Sequence, residues 1–147
     1  SRNEGQYHDA VVLGPLSQAR WYEGGERAFL HSCNPRMGFE TVARAAEFAR
    51  AAVGEALEQA SLSAGDVDFL FCHQPMAWLG SLVKEAAGLT NARHVESFPR
   101  FGSLGAASCA LNLHLAAGEG AIAPGKNVLL YSVGAGFNYC AAVVRWD

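Results

Sequence analysis

His73 stands where an apolar run, Phe69-Leu70-Phe71-Cys72, meets a Gln74-Pro75 corner. A strand that ends there would hold an imidazole rigidly at the rim of a sheet. From that position the ring can donate a hydrogen bond to a carbonyl that is becoming an oxyanion, or carry a proton near neutral pH. A capped, hydrogen-bonded structural histidine is the competing reading. His8, His31, His94 and His114 have no comparable setting and read as ordinary surface or core residues. Ser103, in Arg100-Phe101-Gly102-Ser103, could donate to a substrate oxygen, but a helix N-cap is the preferred reading. The Gly134-Ala135-Gly136 turn would bring backbone N–H groups close to a ligand, as an oxyanion hole requires, or form a plain glycine hairpin. Cys72 adjoins His73, but adjacent strand residues point to opposite faces, so Cys72 belongs in a helix layer. Cys109, in a run of small residues, reads as core. No convincing nucleophile is visible.

These residues need a framework that gathers three loops at one sheet edge. Residues 10–13 form a short apolar run stopped by Gly14-Pro15, and 16–32 hold two weak strand candidates around Gly24-Gly25. Cys33-Asn34-Pro35 reads as a loop. Residues 41–60 carry an apolar stripe at helical spacing through Val42, Ala45, Ala49, Val53 and Leu57. Strands are expected over 68–72, 94–98, 127–133 and 139–145, the last two as a hairpin. Helices are expected over 76–87, with Gly88 as C-cap, and from Ser103 or Gly105 to 117. Residues 68–72 are apolar on both faces, as in the centre of a sheet covered on both sides. Alternating strands and helices favour a mixed sheet with helices on its faces. Ligands of such sheets bind beyond strand ends.

The 147 residues suffice for one domain. Half are hydrophobic and only 17% are charged, against a usual share of about 25%, so part of the surface is expected to be covered by another polypeptide or the core is simply rich. The net charge of −3 and the lack of any basic stripe argue against nucleic acid as partner. No apolar run approaches the roughly 20 residues of a membrane span, and the first residues do not read as a signal peptide. The four cysteines are widely spaced, which argues against a zinc knuckle or disulfide scaffold and suits free thiols in a reducing cytoplasm. Trp21, Tyr22, Phe29 and Trp78 read as core, with pocket lining as the other option.

Three stretches taken together, VDFLFCHQ, RFGSLGAAS and IAPGKNVLLYSVGAGFNYCAAVVRW, resemble the C-terminal half of β-ketoacyl-acyl-carrier-protein synthase III and its relatives, condensing enzymes and acyltransferases of the thiolase fold. The resemblance runs over roughly residues 41–146. HDAVVLG is similar to the last strand of that family's N-terminal half, so 1–14 would be that strand and the crossover, and 15–147 the C-terminal half-domain. The resemblance implies an α/β, thiolase-like fold, one half of a five-layered αβαβα body. It implies a nucleophilic cysteine in an N-terminal half, carried by a partner chain unless this chain is a fragment of a longer one, and a dimer of half-pairs.

His73 falls on the family histidine, which donates to a thioester carbonyl as an enolate forms. Ala135 falls on the middle glycine of the turn that builds the oxyanion hole, with Gly134, Gly136 and Phe101 beside the substrate. Ser103 occupies the position of an asparagine. Losing one aligned oxyanion donor costs about 10² to 10³ in rate, so the resemblance favours acyl transfer with His73 as base. A decarboxylative condensation with Ser103 in the asparagine's place is the alternative, and a non-catalytic stabilising subunit a third. Acyl-CoA or acyl-carrier-protein thioesters would be substrates in polyketide or other secondary metabolism, with no bound cofactor and no metal. Pro75, Met76 and Trp78 stand where the family often has polar and basic residues that meet the donor's carrier.

Overall fold

A computed structural model of the protein describes residues 1–17 and 27–147. Trp21, Tyr22 and the expected Gly24-Gly25 turn lie outside the described residues.

The expected loop at Cys33-Asn34-Pro35 is instead a helix start. Asn34 accepts a hydrogen bond from the N–H of Met37 at 3.3 Å, and Pro35 sits in the first turn, where its missing N–H costs nothing. The helix expected over 41–60 is two helices, α1 (Pro35–Ala43) and α2 (Ala45–Ala60). The break falls at Arg44 (φ −94°, ψ 4°), whose guanidinium pairs with Glu47, donates to the Tyr7 hydroxyl at 2.8 Å and lies over the Phe48 ring. That side chain fixes the corner between the two helices.

Beyond α2 run β4 (Phe69–Cys72), α3 (Leu79–Ala86), β5 (Arg93–His94), α4 (Phe98–Phe101), α5 (Ala107–Gly118), β6 (Asn127–Gly134) and β7 (Asn138–Arg145). Before α1 lie β1 (Arg2–Asn3), β2 (Val12–Gly14) and β3 (Phe29–His31). The main sheet has the order β1-β7-β6-β4-β5. β4 runs parallel to both β5 and β6, β7 returns antiparallel to β6, and β1 pairs antiparallel with β7. β2 and β3 form a separate antiparallel ribbon. At the foot of the sheet Asp68 accepts from Lys126 Nζ at 2.7 Å and from the N–H of Asn127 at 2.9 Å, pinning the starts of β4 and β6 together.

Every residue of β4 is buried, as its apolar run requires of a strand inside the sheet, between β6 and β5. Alternate residues serve opposite layers. Leu70, Cys72, Leu129 and Tyr131 join Phe48, Val53 and Val83 of α2 and α3, while Phe69, Phe71 and Val128 join Ala116 of α5 and Ile122.

Three further boundaries depart from the periodicity. The strand expected over 94–98 shrinks to β5, because the Gln74 side chain captures the N–H groups of Ser97 and Phe98 and starts α4 there. The helix expected from 76 begins at Leu79. Ser103 caps nothing: the chain turns at Gly102 (φ 66°) and Gly105 (φ 56°), and α5 begins only at Ala107 with no side-chain cap. Among the described residues no helix is long and apolar enough to cross a membrane, and no group of three or more His, Cys, Asp or Glu could hold a metal.

Candidate active site

A cavity of about 270 Å³ opens beyond the ends of β4 and β6. It brings together His73, Ser103, Gly134 and Ala135 from the three loops singled out by sequence. Gly136 lies beside it in the turn, with φ 81°. Phe101 does not line it; its ring is 46% exposed, with the Arg100 guanidinium 5.0 Å from the centroid.

His73 is held twice by β6. Its backbone N–H donates to the Tyr131 carbonyl at 2.8 Å, extending the β4–β6 ladder by one residue. Its ring Nδ1 lies 2.7 Å from the Val133 carbonyl oxygen. A carbonyl can only accept, so Nδ1 carries the proton and the neutral ring keeps its lone pair on Nε2. Such a ring is a base as it stands. It becomes a donor at Nε2 only once it is protonated.

Ser103 is exposed at the cavity wall, and its hydroxyl makes no hydrogen bond among the described residues. It precedes the first turn of α5, where the positive end of a helix dipole favours developing negative charge. Ala135 keeps a negative φ, so its methyl imposes no strain, and its N–H has no partner among the described residues. The turn is braced by Asn138 Nδ2, which donates to the Ala135 carbonyl at 3.4 Å.

Neither thiol nearest the histidine is poised to attack. Cys72 is buried on the opposite side of β4 and donates to the His73 carbonyl at 3.1 Å; burial pushes its pKa far up. Cys109 on α5 faces the carbonyls of Phe71 and Tyr131, and burial raises its pKa to about 11. Both stay protonated at neutral pH.

The rest of the wall is apolar, and sequence reading missed much of it. Val11, Leu30 and Val42 arrive from the β2–β3 region and α1, and Phe137 from the far side of the glycine turn. Trp78 takes pocket lining, the second of its two readings, over core: it is 42% exposed on the cavity rim with Met76, while Phe29, read as core, is 47% exposed. The residues after Pro75 run as an open turn before α3 begins, so these side chains stay outside the packed layer. Gln74 and Asn112, buried behind His73, also escaped notice. Asn112, an amide in the middle of an uncharged helix, is the signal that the sequence offers for this cluster.

Residues 57–146 match the family described as 3-oxoacyl-[acyl-carrier-protein (ACP)] synthase III C terminal. The chain belongs to that family. The β-ketoacyl-[acyl-carrier-protein] synthase III of Paramagnetospirillum magneticum is 37% identical over 95 residues, covering 65% of this chain and 29% of the relative. A β-ketoacyl-[acyl-carrier-protein] synthase III structure from Thermus thermophilus is similar at 28% identity with a TM-score of 0.79, over 99% of this chain and 44% of that one. The priming β-ketosynthase of the R1128 polyketide biosynthetic pathway shares the fold at 23% identity and a TM-score of 0.79, over 99% of this chain and 43% of that one. The fold is therefore the thiolase-like α/β fold of the synthase III C-terminal part, and the chain spans less than half the length of each of these relatives.

Proposed function

We propose that this chain is the C-terminal half of a synthase III-type acyltransferase and supplies His73 to a partner half bearing the nucleophilic cysteine. Residues 1–14 would then be the last strand of the N-terminal half with the crossover, and 15–147 the C-terminal half-domain. The observation that carries the reading is the 2.7 Å bond from His73 Nδ1 to the Val133 carbonyl, which leaves Nε2 as a ready base in an apolar cavity.

The partner's cysteine carries the acyl group as a thioester, loaded from acyl-CoA or an acyl carrier protein. An alcohol or amine acceptor gives its proton to His73 Nε2 as its oxygen or nitrogen attacks the thioester carbon. The negative charge that forms on the carbonyl oxygen is met by the Ala135 N–H, with the Ser103 hydroxyl as a second donor. The C–S bond then breaks, the imidazolium returns its proton to the sulfur, and an ester or amide leaves. A serine hydroxyl offers one hydrogen bond where an asparagine amide offers two, which favours this transfer over decarboxylation and suits polyketide or other secondary metabolism.

The need for a partner is supported by the open side of the sheet. Cys140, Ala142 and Val144 on β7 are exposed on the α5 side. α5 contains no charged residue, although Ala107, Ala110 and His114 face outward. An uncharged helix with small apolar residues on its outward face suits the inside of a larger core. Two half-pairs would make a four-chain assembly.

The test is mass spectrometry on the protein isolated from its own host, first native and then denaturing. The expected result is a second polypeptide whose cysteine gains acyl mass from an acyl thioester. In that complex His73→Ala should lower transfer at least 100-fold while loading persists. Full activity of His73→Ala would leave only a stabilising role, and malonyl-dependent C–C bond formation would mean that Ser103 serves a decarboxylative condensation.

A further inference from the structure

Behind His73 lies a buried polar cluster that the acyl-transfer chemistry does not use. The Gln74 side chain is fully buried, and its carbonyl oxygen, Oε1, is the meeting point of three segments. It accepts the backbone N–H of Ser97 at 3.0 Å and of Phe98 at 3.2 Å, with the Ser97 hydroxyl at 3.4 Å. Asn112 Nδ2, from the middle of α5, reaches it at 3.4 Å and the Cys72 carbonyl at 3.5 Å.

We propose that Gln74, braced by Asn112, is a positioning residue that sets the placement of the Ser103 loop relative to His73. Gln74 follows His73 directly at the end of β4, so its backbone moves with the imidazole. The two N–H groups it captures open α4, and α4 leads within two residues of its end, through the left-handed Gly102, to Ser103. The chain from Ser97 to Ser103 is therefore tethered to the histidine's own strand by a side-chain carbonyl rather than by sheet pairing. Asn112 adds α5, which carries the far end of the same loop.

The cluster is a poor way to build a core. Gln74 Nε2 and Asn112 Oδ1 are buried and find no partner among the described residues, a cost that apolar side chains of similar size would avoid. What the amides provide and a leucine cannot is directional bonding between loops that belong to different elements.

The consequence for turnover rests on the reading of His73 as a base, but the tether itself does not, so the two are tested apart. In isotopically labelled chain, Gln74→Met removes the carbonyl at nearly constant volume. The amides of Ser97 and Phe98 should then exchange at least ten-fold faster, and the resonances of Gly102 and Ser103 should shift. The Arg93 amide, bonded to the Asp68 carbonyl at the far end of β4, should be unaffected. Gln74→Glu, which still offers an acceptor oxygen to both N–H groups, should restore protection to within about three-fold of the parent. Unchanged exchange in Gln74→Met overturns the tether. If that variant does not fold, Asn112→Leu takes its place and must shift the Ser103 resonance; no shift overturns the proposal.

In the complex with the cysteine-bearing half, Gln74→Met should lower kcat at least ten-fold with KM for the acyl donor within two-fold, and Gln74→Glu should recover most of it. A parent-like kcat in Gln74→Met overturns the positioning role even where exchange is faster. A complex whose parent form has no turnover counts against the acyl-transfer reading, and the exchange data then decide the tether alone.

Discussion

The two faces of the main sheet are finished to different degrees. On one face α2 and α3 close over β4, β6 and β7, and Tyr7, Phe48, Phe137 and Tyr139 pack edge to face and tilted, with centroids 4.8–6.5 Å apart. Phe48 is 2% exposed and Val83 fully buried. On the other face α5 covers β4 and part of β6, while Val144 of β7 is 44% exposed in a row with Cys140 and Ala142. Both faces were built from apolar side chains. Among the described residues the first face is closed and the second is partly open, so the first should carry the stability of the isolated protein and the second should respond to assembly.

The sharpest way to break this comparison is Phe48→Ala, which empties the middle of the aromatic cluster. It should cost about 3–5 kcal/mol in denaturant unfolding. A loss below 1 kcal/mol would mean that the closed face is not the seat of stability. Next comes Gly80→Ala on α3. A methyl group there would stand about 2.0 Å from the buried His94 ring, which must shift to admit it. The expected loss is about 1–3 kcal/mol from overpacking.

His94 also gives the closed face a pH signature. Burial lowers its pKa first of all, and Lys84 adds to this while Glu96 opposes it. The unfolded chain then binds the proton more readily than the folded one. Stability should be flat above the unfolded value of about 6.5 and should decline as pH falls below it toward the folded pKa. The slope in that window should diminish in His94→Asn, read by thermal melts across pH 5–8.

The smallest effect belongs to the open face. Val144→Ser should change the stability of the isolated chain by no more than about 0.5 kcal/mol, as for an exposed position. The same variant should weaken assembly with the proposed cysteine-bearing half. Equal stability changes for Val144→Ser and Phe48→Ala would erase the distinction between the faces.

Much of the candidate site was legible because its residues sit at strand ends, and strand ends are marked by abrupt changes of residue type. Phe69 to Cys72 is apolar throughout and stops at His73; Asn127 to Val133 stops at a glycine turn. The errors cluster where a side chain from elsewhere decides the backbone. Arg44 breaks a helix whose stripe continues through it, because Tyr7 and Glu47 hold its guanidinium. Residues 94–98 read as a strand, but the Gln74 carbonyl takes two of their N–H groups. Ser103 looked like a cap, and two left-handed glycines carried it to the cavity wall instead.

The sequence by itself determined most of the element order from residue 41 onward, the interior position of β4, the candidacy of His73 and the family to which the chain belongs. These follow from local pattern: apolar runs, turn residues and motifs held in fixed order. Tertiary structure alone decided which ring nitrogen of His73 carries the proton, that Ser103 is unbonded at the cavity wall, and that Gln74 ties the two loops together. Each of these depends on a hydrogen bond between residues more than twenty positions apart, or on its absence, and such a bond leaves no periodic trace in the chain.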